Sequence, residues 1–502
     1  MNDNPVSPGL AGLKRYVLLA AWMLVILTLL AIPLKIISYG YLPVDDTLRH
    51  AAKAVSGKTW SEILILNPVY KIDHEYGWNL LLEKIHLWTH WNAETLVIVS
   101  VVGMFLLWGW SALPWLKRPE AWLVAILLAA ITTDEPTRFL VGRPFTVTSA
   151  ALMSLLFLWQ KHGAAPPRNW MLVLMTVLVA TSTYIHGVWY LWVLPIVAFF
   201  LAEQIRWGVS LFFCWVAGVV LGSALTGHPL GYPLQALQLA SMAVGLHATV
   251  RTMAAELTPA HGDVLALVIL GGLVVVRHLA DLKAPSFLKS PAFWLAAMTF
   301  VLGFKVGRFW FDWGWPALLV LLTCDLELLF IQRIAADGFR RLLFVFGLSV
   351  AVFWCVTNDG GSRWTATLSE AHLAAENPDL KGWMPDHGGI FYMADMALFF
   401  DTFYTNPTGD WRYLLGFEPT WMPKEDFETY HKILWNFGDY RAYEPWVKRM
   451  KPADRLAIKG GRATKPEIPE LEWNYGVSGI WIGRLPQTNS LPASVPAPAA
   501  KH

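Results

Sequence analysis

Lys14-Arg15 is followed by Tyr16–Ile37 (YVLLAAWMLVILTLLAIPLKII), and a few residues later by Tyr41-Leu42-Pro43-Val44-Asp45-Asp46. A helix made from the first of these stretches reaches about 30 Å, the thickness of the hydrocarbon core of a bilayer. The run is too long for the apolar part of a signal peptide and has no A-x-A cleavage site after it, so it reads as a retained membrane helix. The basic pair in front of it predicts a cytoplasmic N-terminus. The acidic pair behind it then falls just outside the membrane on the opposite side.

Working outward, ten more apolar runs follow, at about 94–113, 119–133, 145–160, 170–185, 188–203, 208–226, 263–277, 291–305, 315–331 and 340–356. The sequence therefore predicts an α-helical polytopic membrane protein with about 11 transmembrane helices. Lys117/Arg118, Lys161/Arg168, Arg206, Arg277/Lys283/Lys289 and Arg333/Arg340/Arg341 all fall on the side shared with the N-terminus. Short basic connections on one side are the signature of cytoplasmic loops. An odd number of spans puts the C-terminus outside the cytoplasm.

Charge divides the chain in two. Residues from Thr357 onward include 33 charged side chains in 146, whereas the 356 before them have only 43. The expected organisation is a transmembrane domain, 1–356, an extracytoplasmic C-terminal domain, 357–486, and a Pro/Ala/Ser-rich disordered tail, 487–502. Within the C-terminal domain, Gly389–Phe400 and Trp411–Gly416 read as strands or short helices, Lys424–Trp435 as a helix and Val477–Leu485 as a closing strand, a small α+β domain. The net charge of +2 and the lack of a basic stripe argue against nucleic acid as a partner. Cys214, Cys324 and Cys355 all lie in apolar runs, so no disulfide framework or CxxC metal site is available. The only Asn-x-Thr triplet, Asn406-Pro407-Thr408, carries the forbidden proline. Its absence points to a bacterial inner (plasma) membrane.

Residues with chemical potential collect in the outer connections. The first of these, 39–93, opens on Asp45 and Asp46 and continues into an amphipathic helix through Arg49, Ala52 and Val55. Two adjacent carboxylates at a membrane surface serve as a general base, as metal ligands or as a helix cap. The connection near 132–144 carries Asp134 and Glu135 with Arg138 and Arg143, which pair among themselves or handle an anion. His186 ends the fifth span. Lys305 and Arg308 stand among Phe309, Trp310 and Trp313 and either snorkel to headgroups or clamp a phosphate. Asp325 and Glu327 lie within the tenth span, where acids are costly and Lys283 or Arg333 could pair with one.

This arrangement resembles the GT-C superfamily of membrane glycosyltransferases, which includes protein mannosyltransferases and aminoarabinose transferases. The resemblance covers the topology of 1–356 and the two acidic motifs. It implies a polyprenyl-phosphate sugar donor and an acceptor on the extracytoplasmic side. It further implies a first-loop acid (Asp45 or Asp46) that activates the acceptor, a second-loop acid (Asp134 or Glu135) and a basic residue near the donor phosphate (Arg308). A divalent metal is compatible with this chemistry, and no other cofactor is called for. The C-terminal motif Trp411–Pro419 matches no named member of the superfamily, which leaves sugar and acceptor open. The competing readings are a transporter or flippase for a lipid-linked glycan using Asp325, Glu327 and Arg251, a glycan polymerase or ligase, and a non-catalytic scaffold.

Overall fold

The computed structural model describes residues 8–43, 46–70, 72–131, 138–244, 259, 263–333, 338–369, 372–436, 438–460, 464–477 and 479–486. Asp45, Asp134, Glu135, Arg251 and the tail 487–502 lie outside these described residues.

The chain divides into two compact units. One comprises residues 1–57 and 69–370; the other comprises 58–68 and 371–502. The first unit is helical: α1 (Pro8–Ser38), α2 (Asp46–Ser56), α3 (Tyr76–Thr89), α4 (Ala93–Trp110), α5 (Glu120–Ala130), α6 (Phe145–His162), α7 (Asn169–His186), α8 (Val193–Leu201), α9 (Ile205–Leu225), α10 (Gly231–Val244), α11 (Val264–Leu279), α12 (Pro291–Gly303), α13 (Trp315–Gln332) and α14 (Phe339–Thr357). An apolar helix occupies each of the eleven runs read from the sequence. Among the described residues, six stretches have the length and hydropathy to cross a membrane: Arg15–Ser38, Ala93–Trp115, Asn169–His186, Ile205–Leu225, Gly307–Gln332 and Phe339–Thr357. The protein is thus a helical membrane protein, with six such helices where the sequence predicts eleven spans. Of the other five, α6 has 18 residues but ends in the polar Gln160-Lys161-His162, and the remaining four differ in length. Glu120–Ala130, Trp189–Leu201, Val264–Leu279 and Pro291–Gly303 are apolar but shorter, and at 1.5 Å per residue they fall well below about 30 Å.

Interhelical bonds gather one end of this bundle. The Tyr39 hydroxyl, just past α1, donates to the Thr357 carbonyl at the end of α14, 3.2 Å away. Thr148, early in α6, and Ser182, late in α7, share a hydroxyl hydrogen bond of 2.8 Å. Elsewhere Arg341 binds Glu120 through two bonds of 2.8 and 2.9 Å, fixing α14 to α5. Arg277 pairs with Asp325 at 2.6 and 2.8 Å, and Glu327 accepts the backbone N–H groups of Lys117 and Arg118 at 2.5 and 2.9 Å. Asp325 and Glu327 are therefore engaged; Asp325 is held by Arg277 and not by Lys283 or Arg333.

The second unit is built on a five-stranded mixed sheet of order β2-β1-β3-β5-β4, with β1 (Ile390–Met393), β2 (Arg412–Tyr413), β3 (Arg455–Lys459), β4 (Glu472–Tyr475) and β5 (Ile480–Arg484). β1 runs parallel to β2 and β3, while β5 runs antiparallel to β3 and β4. Helices α15 (Met396–Thr405) and α16 (Lys424–Trp435) belong to the same unit. So does residue range 58–68 from the first long connection. The Ile65 N–H donates to the Tyr413 carbonyl at 2.9 Å and the Asn67 N–H to that of Trp421 at 2.7 Å. Trp60 is buried with its ring centroid 4.8 Å from Phe417.

Candidate functional site

Asp46 opens α2, and the helix carries Arg49 one turn on, at the i, i+3 spacing that lets two side chains meet. Arg49 Nε donates to Asp46 Oδ1 at 2.9 Å, and its Nη2 donates to Glu75 Oε2 at 2.5 Å. Seven of the eleven residues of α2 are buried, including polar Thr47, Arg49 and His50. A buried guanidinium between two carboxylates is a compensated charge; removing both acids would leave it uncompensated. Glu75 is only 2% exposed. His50 Nε2 lies 3.1 Å and His74 Nε2 3.6 Å from Glu75 Oε2. His50 Nδ1 is 2.6 Å from Asn79 Oδ1, and Asn79 Nδ2 donates to Asp73 Oδ2 at 2.6 Å. The chain Asp73–Asn79–His50–Glu75–Arg49–Asp46 is thus continuous, and it extends to Arg143, whose Nε is 4.0 Å from Asp46 Oδ2.

These charges set the protonation of the acids. Burial alone would raise the Asp46 carboxyl, but Arg49 and then Arg143 outweigh it and bring it down to about 2. Glu75 follows the same pattern: burial opposes ionisation, yet Arg49, His50 and His74 hold it well below its ordinary range. Burial pushes His74 down and disfavours its charged form. The two acids are carboxylates at any physiological pH.

A second group forms at the start of α13. Residues Trp310–Gly314 make a π turn, an irregularity frequent at functional positions. It is possible because Gly314 stands where a Cβ would sit 2.2 Å from the Trp310 ring and 2.6 Å from Thr299. The turn brings Asp312 inward, where it is buried. Arg308 Nε donates to Asp312 Oδ2 at 3.0 Å, Arg138 Nη2 donates to Asp312 Oδ1, and Ser149 Oγ donates to the Asp312 carbonyl at 3.2 Å. The Arg138 guanidinium also lies over the rings of Phe311, at 5.0 Å, and Phe145, at 5.4 Å.

His186 links the two groups. It ends α7, is 6% exposed, and its Nδ1 has no hydrogen-bond partner among the described residues. It lies within electrostatic range of Arg308 and Asp312 on one side and of Glu75 and His74 on the other.

Of the residues singled out from the sequence, Asp46, Arg138, Arg143, His186 and Arg308 are therefore brought to one end of the bundle. Lys305 is exposed on the turn before the π segment. Asp45, Asp134 and Glu135 fall outside the described residues. The residues not anticipated are His50, Asp73, His74, Glu75, Asn79 and Asp312. Three consecutive ionisable residues, Asp73-His74-Glu75, in a connection of a protein this apolar were a visible signal. Among the described residues, no three His, Cys, Asp or Glu side chains converge as a metal-ligand set. What the arrangement offers is four arginines (Arg49, Arg138, Arg143 and Arg308) with three carboxylates. That set can hold an anion while keeping acids ionised beside it. No family model matches the chain, and no curated protein is significantly similar to it.

Proposed function

We propose that the protein is a GT-C-like membrane glycosyltransferase, crossing the bilayer about eleven times. It would move a sugar from a polyprenyl-phosphate donor to an acceptor on the extracytoplasmic side. The observation that carries this reading is the gathering of Arg138 and Arg308 on one buried carboxylate, Asp312, with Arg143 and Asp46 at the same end of an apolar bundle. In the reaction an acceptor hydroxyl attacks the anomeric carbon. The bond from that carbon to the phosphate oxygen breaks, and the hydroxyl proton passes to a carboxylate. The phosphate leaves with its charge met by fixed guanidinium groups, which are most effective in a site of low dielectric. Asp46, held at about 2 by Arg49 and Arg143, is too weak a base to favour proton transfer and orients the arginines. The proton falls to Asp45 or, in the second connection, to Asp134 or Glu135. Asp325 and Glu327, the acids a transport path would use, are tied to Arg277 and to backbone, which favours the enzyme over a flippase.

The test is transfer from a polyprenyl-phosphate sugar in inverted and right-side-out membranes. One of Asp45→Asn, Asp134→Asn and Glu135→Gln should lower turnover by about 10²–10⁴ at normal expression, the range for loss of a general base. Arg308→Gln should weaken donor use sharply, and Arg308→Lys should restore only part, since the guanidinium fork is lost. Full turnover in Arg308→Gln and in every Asn or Gln variant of the four acids would end this reading. EDTA on the same membranes decides whether a divalent cation takes part.

A further inference from the structure

Helix α10 has two faces with different surroundings. Tyr232, Gln235 and Ala236, spaced i, i+3, i+4, point inward and are buried. The Tyr232 hydroxyl, on a side chain only 1% exposed, shares its proton between the carbonyl oxygens of His74, at 2.7 Å, and Thr183, at 2.9 Å. The Gln235 amide grips the backbone of Ile72 from both sides: Nε2 donates to its carbonyl at 2.5 Å and Oε1 accepts from its N–H at 3.2 Å. The chain at Ile72–His74 thus hangs on two side chains of α10, and that stretch leads directly into Glu75. On the opposite side, Leu230, the last residue of the turn into α10, and Leu234 and Leu237 on the helix, spaced i, i+4, i+7, are 76%, 60% and 46% exposed. Three exposed leucines in one stripe are not an ordinary aqueous surface. They follow directly in the chain on a helix with the length and hydropathy to cross a membrane. Helix α9, one of the membrane-crossing stretches, exposes Val216, Val220, Leu221 and Leu225, and the short turn Thr226–Leu230 joins it to α10.

We propose that α10 is a lipid-seated latch. Its leucine face rests in the boundary between headgroups and acyl chains, and its inward face fixes Ile72–Glu75 in the site, which makes Tyr232 and Gln235 positioning residues. An amphipathic helix lying in the interface buries its apolar side about 5–10 Å deep, which is the depth three leucines on one face need. Detaching the helix removes the partners of the Ile72 N–H and of the Ile72 and His74 carbonyls. The network through Glu75, Arg49 and Asp46 then loses one of its anchors. The inference rests on Ile72–Glu75 belonging to the site and not on which reaction the site performs.

Two measurements on the full chain, one copy per lipid nanodisc, test it without any assay of transfer. In a background with Cys214, Cys324 and Cys355 replaced by Ala, nitroxides at Leu234→Cys and Leu237→Cys should be more accessible to oxygen than to a water-soluble nickel chelate. The reverse order overturns the lipid seat. Amide exchange then reads the latch: Gln235→Leu and the conservative Tyr232→Phe should each speed exchange across residues 72–75 about tenfold. Leu234→Gln with Leu237→Gln should do the same in nanodiscs. Wild-type exchange at 72–75 in both inward variants overturns the latch. Leucine variants that exchange like wild type break the link between lipid and site. No transfer from a polyprenyl-phosphate sugar by the wild type, with all these results intact, would count against the glycosyltransferase reading and leave the latch standing.

Discussion

A methyl group added at Gly187 would stand 2.6 Å from the His74 carbonyl oxygen and 3.0 Å from the Tyr232 hydroxyl. The backbone there has φ of +69°, which a Cβ disfavours by about 1–2 kcal/mol before any clash. Gly187→Ala should therefore lower the thermal midpoint in detergent clearly. Gly272→Ala, in α11 with open space around it, should be neutral or slightly stabilising. Equal midpoints for the two variants would mean that the approach of His74 to α7 is not tight. Asp46 supplies a second test at this scale. Its carboxyl is depressed from 3.8 to about 2, so its contribution to stability is complete above about pH 4 and fades as pH falls toward 2. Glu75, depressed from 4.5, acts in the same direction. Between pH 5 and 8 neither acid should move the midpoint, and below pH 4 the wild type should lose stability faster than Asp46→Asn. Asp46 could be found from sequence because two acids after a membrane helix stand out. How far its carboxyl is depressed could not, because Arg143, which adds to the nearby Arg49, lies 97 positions further along the chain.

The π turn Trp310–Gly314 shows how one element decides what a residue does. The sequence places Lys305–Trp313 as an outer connection with two cations among aromatics, and Arg308 does reach the site. The role of Asp312 depends on the extra residue in that turn, and that depends on Gly314 making room for the Trp310 ring. No spacing rule reveals it. Asp312→Ala should leave Arg138 and Arg308 without their shared counter-charge and cost about 3–5 kcal/mol, the usual penalty for breaking a buried pair. Combining it with Arg138→Leu should cost less than the two single losses together, by 0.5 kcal/mol or more, because the groups act as a unit. Additive losses measured by chemical unfolding in detergent would show that the two side chains are independent. Helix α2 teaches the same lesson in reverse. Its amphipathic pattern was legible, but Thr47, Arg49 and His50 are buried in the protein, since the Val141 carbonyl, Glu75 and Asn79 of α3 respectively supply partners from other parts of the chain.

For the whole molecule, the topology proposed from the Lys and Arg distribution is checked by reporter fusions. Those after Arg118, Pro166 and Lys283 should report cytoplasm, and those after Gly57 and Asp439 the outside; a cytoplasmic signal at Asp439 would place the second unit on the wrong side for this reading. In that unit, Trp60→Ala should destabilise by about 3–5 kcal/mol. Trp60 is buried against Phe417, although it comes from the first connection and not from the C-terminal stretch. Faster proteolysis within 372–486 of the full-length variant is the expected readout, and wild-type resistance would show that 58–68 is dispensable there. By itself, the sequence determined the membrane class, the approximate positions of the apolar helices and the hydrophilic character of the C-terminal portion. These follow from local composition and from the cost of placing unpaired polar groups in lipid, which every stretch meets on its own. Only the tertiary structure decided that 58–68 joins the C-terminal sheet, that Glu75 and Asp312 are the acids holding the arginines, and that α10 carries the Ile72–His74 backbone. Those outcomes depend on charges and hydrogen-bonding groups far apart in the chain meeting where water is excluded, and no local pattern encodes such a meeting.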